Sequence, residues 1–198
     1  MDLKIKDLIY RQNNLVPKDK CKYFVDTFEK YKDKSDFESS LKYTEEAKKN
    51  ERERDNFKCL NLSDFYKTDI EIKKAADLAS FYISLMILNY TNFLKVNISK
   101  FITDRYINKT SNIRILKYSV GEQIIDHLDV NSNTRASCTL NLNEEYTGGE
   151  FTFFSGKHIE TFKTGDAMIF PAEPIWIHGT KPILSGTRYS INCFLKSS

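Results

Sequence analysis

Arg135-Ala136-Ser137-Cys138-Thr139-Leu140-Asn141-Leu142-Asn143 alternates apolar and polar side chains. Successive side chains of an extended strand point to opposite faces. Ala136, Cys138, Leu140 and Leu142 therefore share one face, and Ser137, Thr139 and Asn141 share the other. The same short period recurs on both sides. Ile113 to Tyr118 and Gln123 to His127 precede it. Glu150 to Phe154, Ile159 to Phe162, Ala167 to Phe170, Ile175 to His178 and Arg188 to Leu195 follow. Gly148-Gly149 reads as a hairpin turn, and Gly165-Asp166 and Ser185-Gly186 as further turns. About eight short strands punctuated in this way predict a double-sheet jelly roll, the double-stranded β-helix.

Upstream the period changes. After Pro17, the residues Cys21, Phe24, Val25 and Phe28 recur at helical spacing, which predicts an amphipathic helix to about Tyr31. A second helix is expected from Asp69 to Lys95, with Leu78, Phe81, Tyr82, Leu85 and Leu88 as its buried stripe. Residues 32–56 are dense in both charge signs and read as solvated surface. The expected class is mainly β with flanking helices (α+β). The N-terminal helices pack on one sheet of the jelly roll. We expect one domain over 1–198, with 1–108 a mainly helical support and 112–196 the β core.

Composition narrows the function classes. The 198 residues are 40% hydrophobic and 29% charged, which suits one globular unit with a sizeable core. The net charge of +3 gives little footing for a surface that tracks nucleic acid, and leaves room only for a local basic patch. Cys21, Cys59, Cys138 and Cys193 are scattered, without the close spacing of a zinc or redox motif, and read as free thiols of a reducing compartment. The charged start, Met1 to Asp7, carries no apolar signal region. The longest apolar run, Phe81 to Leu88, is far short of the roughly 20 residues a bilayer requires. A cytoplasmic protein away from membranes is expected.

Two of the three histidines fall into a ligand pattern. His127 and Asp129, in Asp126-His127-Leu128-Asp129, are two apart and project to one face of an extended segment. His178 would join them from another strand. Two imidazoles and a carboxylate suit Fe(II) and leave coordination positions open. The absence of thiolate and of a fourth ligand argues against a closed structural zinc site. Arg188 follows His178 by ten residues, with Ser190 and Asn192 on its face. A guanidinium there can grip the far carboxylate of a dicarboxylic acid whose near end chelates iron. 2-Oxoglutarate has that chemistry.

The motifs Tyr118-Ser119-Val120-Gly121, Asp126-His127-Leu128-Asp129, Leu142 to Glu150, Thr164 to Phe170, His178-Gly179 and Gly186 to Ser190 come in a distinctive order. Together they resemble the prolyl 4-hydroxylase-like branch of the Fe(II)/2-oxoglutarate dioxygenases. The resemblance covers about residues 112–196. It implies ferrous iron on His127, Asp129 and His178, 2-oxoglutarate on Arg188, and the Tyr118 phenol beside the cosubstrate. It implies dioxygen as oxidant, succinate and carbon dioxide as products, and ascorbate as a candidate reductant. The substrate it implies is a prolyl residue of a peptide or protein. From its dense mixed charge, and not from the resemblance, the segment 32–56 is expected to include a mobile flap over the site. Asn141 departs from the pattern, since many members have Tyr before this Leu-Asn, so one cosubstrate hydrogen bond must be supplied differently. His158 matches no ligand position, and Trp176 is expected to pack beside the site or in the core. The alternatives are hydroxylation of a free amino acid or small metabolite, and a non-catalytic jelly-roll binding protein. A cupin isomerase is disfavoured because it would supply H-x-H and a nearby Glu.

Overall fold

The computed structural model describes residues 4–38, 57–103, 105–129 and 133–197. Its chain order is β1 (Tyr10–Gln12), α1 (Lys18–Lys30), β2 (Asp36–Glu38), β3 (Phe57–Asn61), α2 (Leu62–Phe65), α3 (Ile70–Asn97) and β4 (Lys109–Tyr118). Then follow β5 (Thr134–Asn141), β6 (Tyr146–Gly148), β7 (Phe151–Phe153), β8 (His158–Glu160), β9 (Ala167–Pro171), β10 (His178–Thr180), β11 (Ile183–Gly186) and β12 (Arg188–Lys196).

The strands form a jelly roll of unequal sheets. The main sheet has seven strands in the order β1-β9-β5-β12-β4-β3-β2. Opposite lie a three-stranded sheet, β10-β7-β8, and a two-stranded ribbon, β11-β6. The Gln123–His127 segment, expected as a strand, contributes only an isolated bridge from His127 to His178. That bridge is still enough to bring the two histidines side by side.

The alternation around residue 138 sorts the two faces of the main sheet as expected. Ala136, Cys138 and Leu140 of β5 join Ile191, Cys193 and Leu195 of β12 in a core against the helices. Ser137, Thr139 and Asn141 point the other way, into the roll, and are buried there too. Both faces are covered, so the polar residues of β5 are interior groups that need partners.

The helices are built where expected, with one shift of face. Asp69 caps α3, its carboxylate accepting from Glu71 N at 3.1 Å and Ile72 N at 3.2 Å. On α1, Cys21, Phe24 and Phe28 are buried as expected, with Val25 half-buried. Glu29 of α1 ties the helix to the sheet, accepting from Lys117 Nζ at 2.7 Å and Tyr189 Oη at 2.6 Å. On α3 the buried residues are Ile72, Ala75, Ala76, Ala79, Tyr82, Ile83, Met86, Tyr90, Thr91 and Leu94. Of the expected stripe only Tyr82 is fully buried, while Phe81 is 56% and Leu88 55% exposed. Small alanines let α3 approach the sheet closely, and a stripe chosen by side-chain size overlooks them.

Two further expectations are corrected. The N-terminal half supplies β1, β2 and β3 besides its helices, and these extend the main sheet at both edges. Phe57-Lys58-Cys59-Leu60-Asn61 pairs with β4 from Lys58↔Lys117 to Asn61↔Arg114. Such a short segment carries too little pattern to read without its neighbour. Gly148-Gly149 is also no hairpin turn. β6 pairs with β11, and β7 with β10 and β8, so the glycines carry the chain from one sheet to the next. Both have positive φ, +78° and +68°, and a Cβ on Gly148 would collide with the Pro182 carbonyl oxygen. Residues 39–56, the greater part of the segment expected to contain a flap, lie outside the described residues.

The facing of α3 yields a first test. Met86→Ala, at a fully buried position, is expected to cost about 2–5 kcal/mol in urea unfolding. Phe81→Ala, at an exposed position, is expected to cost less than about 1 kcal/mol despite removing a larger side chain. The opposite ranking would mean that α3 packs through its other face.

Candidate metal centre and anion pocket

His127, Asp129 and His178 converge inside the mouth of the roll. Each offers one ligand atom, and these atoms lie within 4.8 Å of one another. His127 Nε2 is 3.3 Å from Asp129 Oδ1, and His178 Nε2 is 3.3 Å from Asp129 Oδ2. The imidazole rings are 4.3 Å apart. The bridge between residues 127 and 178 sets this closeness, with His127 N–H donating to the His178 carbonyl at 2.8 Å and His178 N–H returning the bond at 3.0 Å.

The backbone also sets both ring tautomers. His127 Nδ1 lies 2.9 Å from the Ile125 carbonyl oxygen, and His178 Nδ1 lies 2.9 Å from that of Trp176. A carbonyl only accepts, so each Nδ1 carries the proton and donates. Each Nε2 then directs its lone pair toward the Asp129 carboxylate. Three electron-rich atoms facing one another repel unless a cation lies between them, either a divalent metal or protons on Nε2. The donor set of two nitrogens and one oxygen fits an open metal site.

Asp129 is held for this task. Burial disfavours its charged form, yet with protons on the facing Nε2 atoms His127 and His178 outweigh that and hold its carboxyl well below the usual range. Ser137 Oγ donates to Asp129 Oδ2 at 2.5 Å, which fixes the carboxylate plane. Around His178 stands an aromatic wall. Phe151 stacks on its ring at 5.5 Å and 7°, Phe170 meets it edge-on at 4.6 Å, and Phe153 lies 6.0 Å away. Trp176, buried as expected, packs against Phe153 and Phe154 behind it.

At the far end of the same face lies Arg188, only 2% exposed. It sits opposite Tyr118 in the β12–β4 register, and its guanidinium lies 5.4 Å from the Tyr118 ring centroid. Its Nε donates to Asn141 Oδ1 at 3.3 Å. Among the described residues no carboxylate comes within ion-pair distance of it. A buried guanidinium without a counter-charge is costly, and an anion supplied from outside would offset that cost. Ser190 and Asn192 share its face, Asn192 Oδ1 accepting from Ser190 Oγ at 3.3 Å and from Thr139 Oγ1 at 3.2 Å.

β5 joins the two ends. Ser137 touches Asp129, Thr139 touches Asn192, and Asn141 touches Arg188. The interior is thus a polar row with cation ligands at one end and a bare cation at the other. Phe57, Cys59, Leu116, Tyr118, Ile124 and Ile183 form an apolar cluster on one side. Phe151, Phe153, Met168, Phe170 and Trp176 form the other.

The structure therefore brings His127, Asp129 and His178 into one cluster and sets Arg188 and Tyr118 side by side at the other end of the same polar row. His158 stands apart on β8, bound to Glu160 at 2.7 Å. The roles of Ser137 and Asn141 were missed. The alternation around residue 138 had placed both on the inner face, and that was their only signal.

Comparison with known proteins agrees with this geometry. The sequence profile of the 2OG-Fe(II) oxygenase superfamily matches residues 113–196. No curated protein matches the chain in sequence. Solved structures share its fold at low identity. A prolyl hydroxylase from Trichoplax adhaerens, in complex with a hypoxia inducible factor oxygen degradation domain peptide fragment, superposes with a TM-score of 0.69. The two are 12% identical, over 96% of this chain and 83% of that one. A Pseudomonas putida prolyl-4-hydroxylase gives 0.65 at 14% identity, over 98% and 97%. The viral collagen prolyl hydroxylase of Paramecium Bursaria Chlorella virus-1 gives 0.63 at 15%, over 96% and 97%. Residues 113–196 thus match the 2OG-Fe(II) oxygenase superfamily profile, and the chain shares its fold with solved prolyl hydroxylases. The family implies Fe(II) and 2-oxoglutarate.

Ser137 provides the test of this site. Ser137→Ala removes the hydrogen bond to Asp129 but no ligand, and is expected to weaken Fe(II) or Co(II) binding about 10- to 100-fold. Titration of the metal against the Co(II) absorption bands reads this directly. Unchanged affinity would mean that Ser137 does not orient the carboxylate.

Proposed function

We propose that this chain is an Fe(II)- and 2-oxoglutarate-dependent hydroxylase whose substrate is a prolyl residue of a peptide or protein. One observation carries the reading. A buried arginine with no carboxylate partner among the described residues shares a polar row with a two-histidine, one-carboxylate cluster. An acid that is both chelating and doubly charged at its ends, such as 2-oxoglutarate, answers both requirements at once.

In this reading His127, Asp129 and His178 hold one face of Fe(II), and Arg188 holds the 5-carboxylate of 2-oxoglutarate. Bound iron supplies the redox chemistry that uses dioxygen, converts 2-oxoglutarate to succinate and carbon dioxide, and hydroxylates a substrate C–H bond. The chain's own groups do the rest. The Ile125 and Trp176 carbonyls keep both Nε2 atoms available as ligands. Ser137 orients Asp129. Phe151, Phe153, Phe170 and Trp176 exclude water on the His178 side. Tyr118 packs on the Arg188 guanidinium and limits its swing.

The prolyl assignment leans on fold neighbours that are prolyl hydroxylases, one of them seen with a peptide. Hydroxylation of a free amino acid or small metabolite would use the same site. The whole chain, 1–198, is read as one catalytic domain with its helices as support. Its four cysteines are buried and form no disulfide among the described residues, which suits a reducing compartment such as the cytoplasm. No helix among the described residues is long and apolar enough to cross a membrane.

The deciding assay measures succinate from 2-oxoglutarate with Fe(II), with and without proline-containing peptides and with ascorbate present. Peptide-stimulated succinate, with a mass gain of one oxygen on proline, is the expected result. Stimulation by free amino acids alone would shift the substrate class. Absence of both turnover and metal-dependent 2-oxoglutarate binding would leave a non-catalytic jelly roll. Arg188→Ala is expected to weaken 2-oxoglutarate at least about 10-fold, the loss of a charge-assisted bidentate pair, while metal affinity holds.

A further inference from the structure

Asn141 has no exposed surface, and its amide is committed on both sides. Nδ2 donates to the Asn143 carbonyl at 2.6 Å and to the Lys163 carbonyl at 3.3 Å. Two carbonyl partners admit only the NH2 end, so the amide orientation is settled. Oδ1 must then point the other way. There it accepts from Arg188 Nε at 3.3 Å and from the Tyr146 hydroxyl at 3.2 Å. Asn141 therefore has no polar atom left to offer a ligand.

Tyr146 reaches this point from β6, outside the main sheet. Gly149 lies beside this corner at a φ of +68°, where a Cβ would collide with Ile183 Cδ1 at 2.5 Å and would meet Arg188 Cδ and Tyr146 Cε2 at ordinary contact distance, 3.4 Å each. Arg188 is thus held on two sides, by Asn141 at its Nε and by the Tyr118 ring across its face.

A guanidinium can present a carboxylate with either of two edges, Nε with one Nη, or the two Nη groups end-on. Asn141 occupies Nε. Among the described residues no protein group bonds the Nη1–Nη2 edge. We infer that Asn141 and Tyr146 are positioning residues that lock Arg188 for end-on capture of a carboxylate, and so set the length of dicarboxylate the pocket accepts. The inference rests on the reading of Arg188 as the cosubstrate anchor. The lock fixes how far the captured carboxylate stands from the metal ligands. A keto acid with one more methylene must then bend or detach at one end. Without the lock the guanidinium can tilt and meet either acid.

The test is calorimetric binding of 2-oxoglutarate and of 2-oxoadipate, one methylene longer, to the Mn(II)-loaded protein without turnover. Wild type is expected to prefer 2-oxoglutarate. Tyr146→Phe and Asn141→Ser are expected to weaken 2-oxoglutarate roughly 10-fold, as for a lost hydrogen bond acting on a charged group. Both variants should also narrow the gap between the two acids and leave Mn(II) affinity unchanged. A merely structural role would lower the melting temperature without moving the ratio of the two acids. Variants that melt like wild type and keep both affinities and their ratio would overturn the inference. Tyr146→Phe removes a single hydroxyl from a half-buried side chain and decides the matter if Asn141→Ser does not fold. Wild type that binds neither acid would overturn the anchor reading itself, a separate and recognisable result.

Discussion

Arg188 carries a full positive charge into the interior, and no carboxylate of the described chain answers it. Asp129, also interior, carries a negative charge at the other end of the same sheet face and is answered by two imidazoles instead. The protein keeps these opposite charges apart on one polar row rather than letting them pair. A paired Arg–Asp would be the cheaper arrangement for the folded chain alone. Keeping them separate leaves one end demanding a cation and the other an anion. A metal chelated by a dicarboxylate satisfies both.

Separation requires a stiff frame, and β5 provides it. Its outward residues are sealed against α1 and α3, so the strand cannot rotate or slip by one residue without exposing its whole apolar face. Its inward residues are spaced by the pleat and hand one contact each to Asp129, Asn192 and Arg188. β12 lies beside it with Arg188, Ser190 and Asn192 in register. The helices thus serve the site indirectly, by fixing the strand that spaces the charges. The aromatic wall at His178 and the apolar cluster at Tyr118 then flank the row and keep it dry.

The polar contacts nearest the site are backbone-directed. The carbonyls of Ile125 and Trp176 choose the histidine tautomers, and those of Asn143 and Lys163 choose the orientation of Asn141. Backbone groups held in a bridge or a loop closure move less than side chains, which suits groups that must hold a geometry while ligands come and go. The positive-φ glycines at 148 and 149 belong to the same economy of space, since a Cβ there would collide with the Pro182 carbonyl oxygen or the Ile183 side chain.

Much of this was legible in the residues. The alternation of Arg135 to Asn143 named both faces of the central strand, because a period of two survives any detail of packing. His127, Asp129, His178 and Arg188 were legible because chemistry restricts which side chains can bind a metal or grip a carboxylate. Other features belong to the tertiary structure alone. β1 to β3 are too short to declare themselves and exist as strands because an edge was there to pair with. The buried face of α3 follows its alanines, since closeness to the sheet outweighs side-chain size. Gly148-Gly149 passes between sheets because Pro182 leaves no room for a Cβ. The role of Asn141 depends on which carbonyls surround it, and those come from residues 143 and 163. Local pattern and ligand chemistry are properties of the chain, whereas the partner of a short strand, a small-residue face or an amide is decided only by what folding brings beside it.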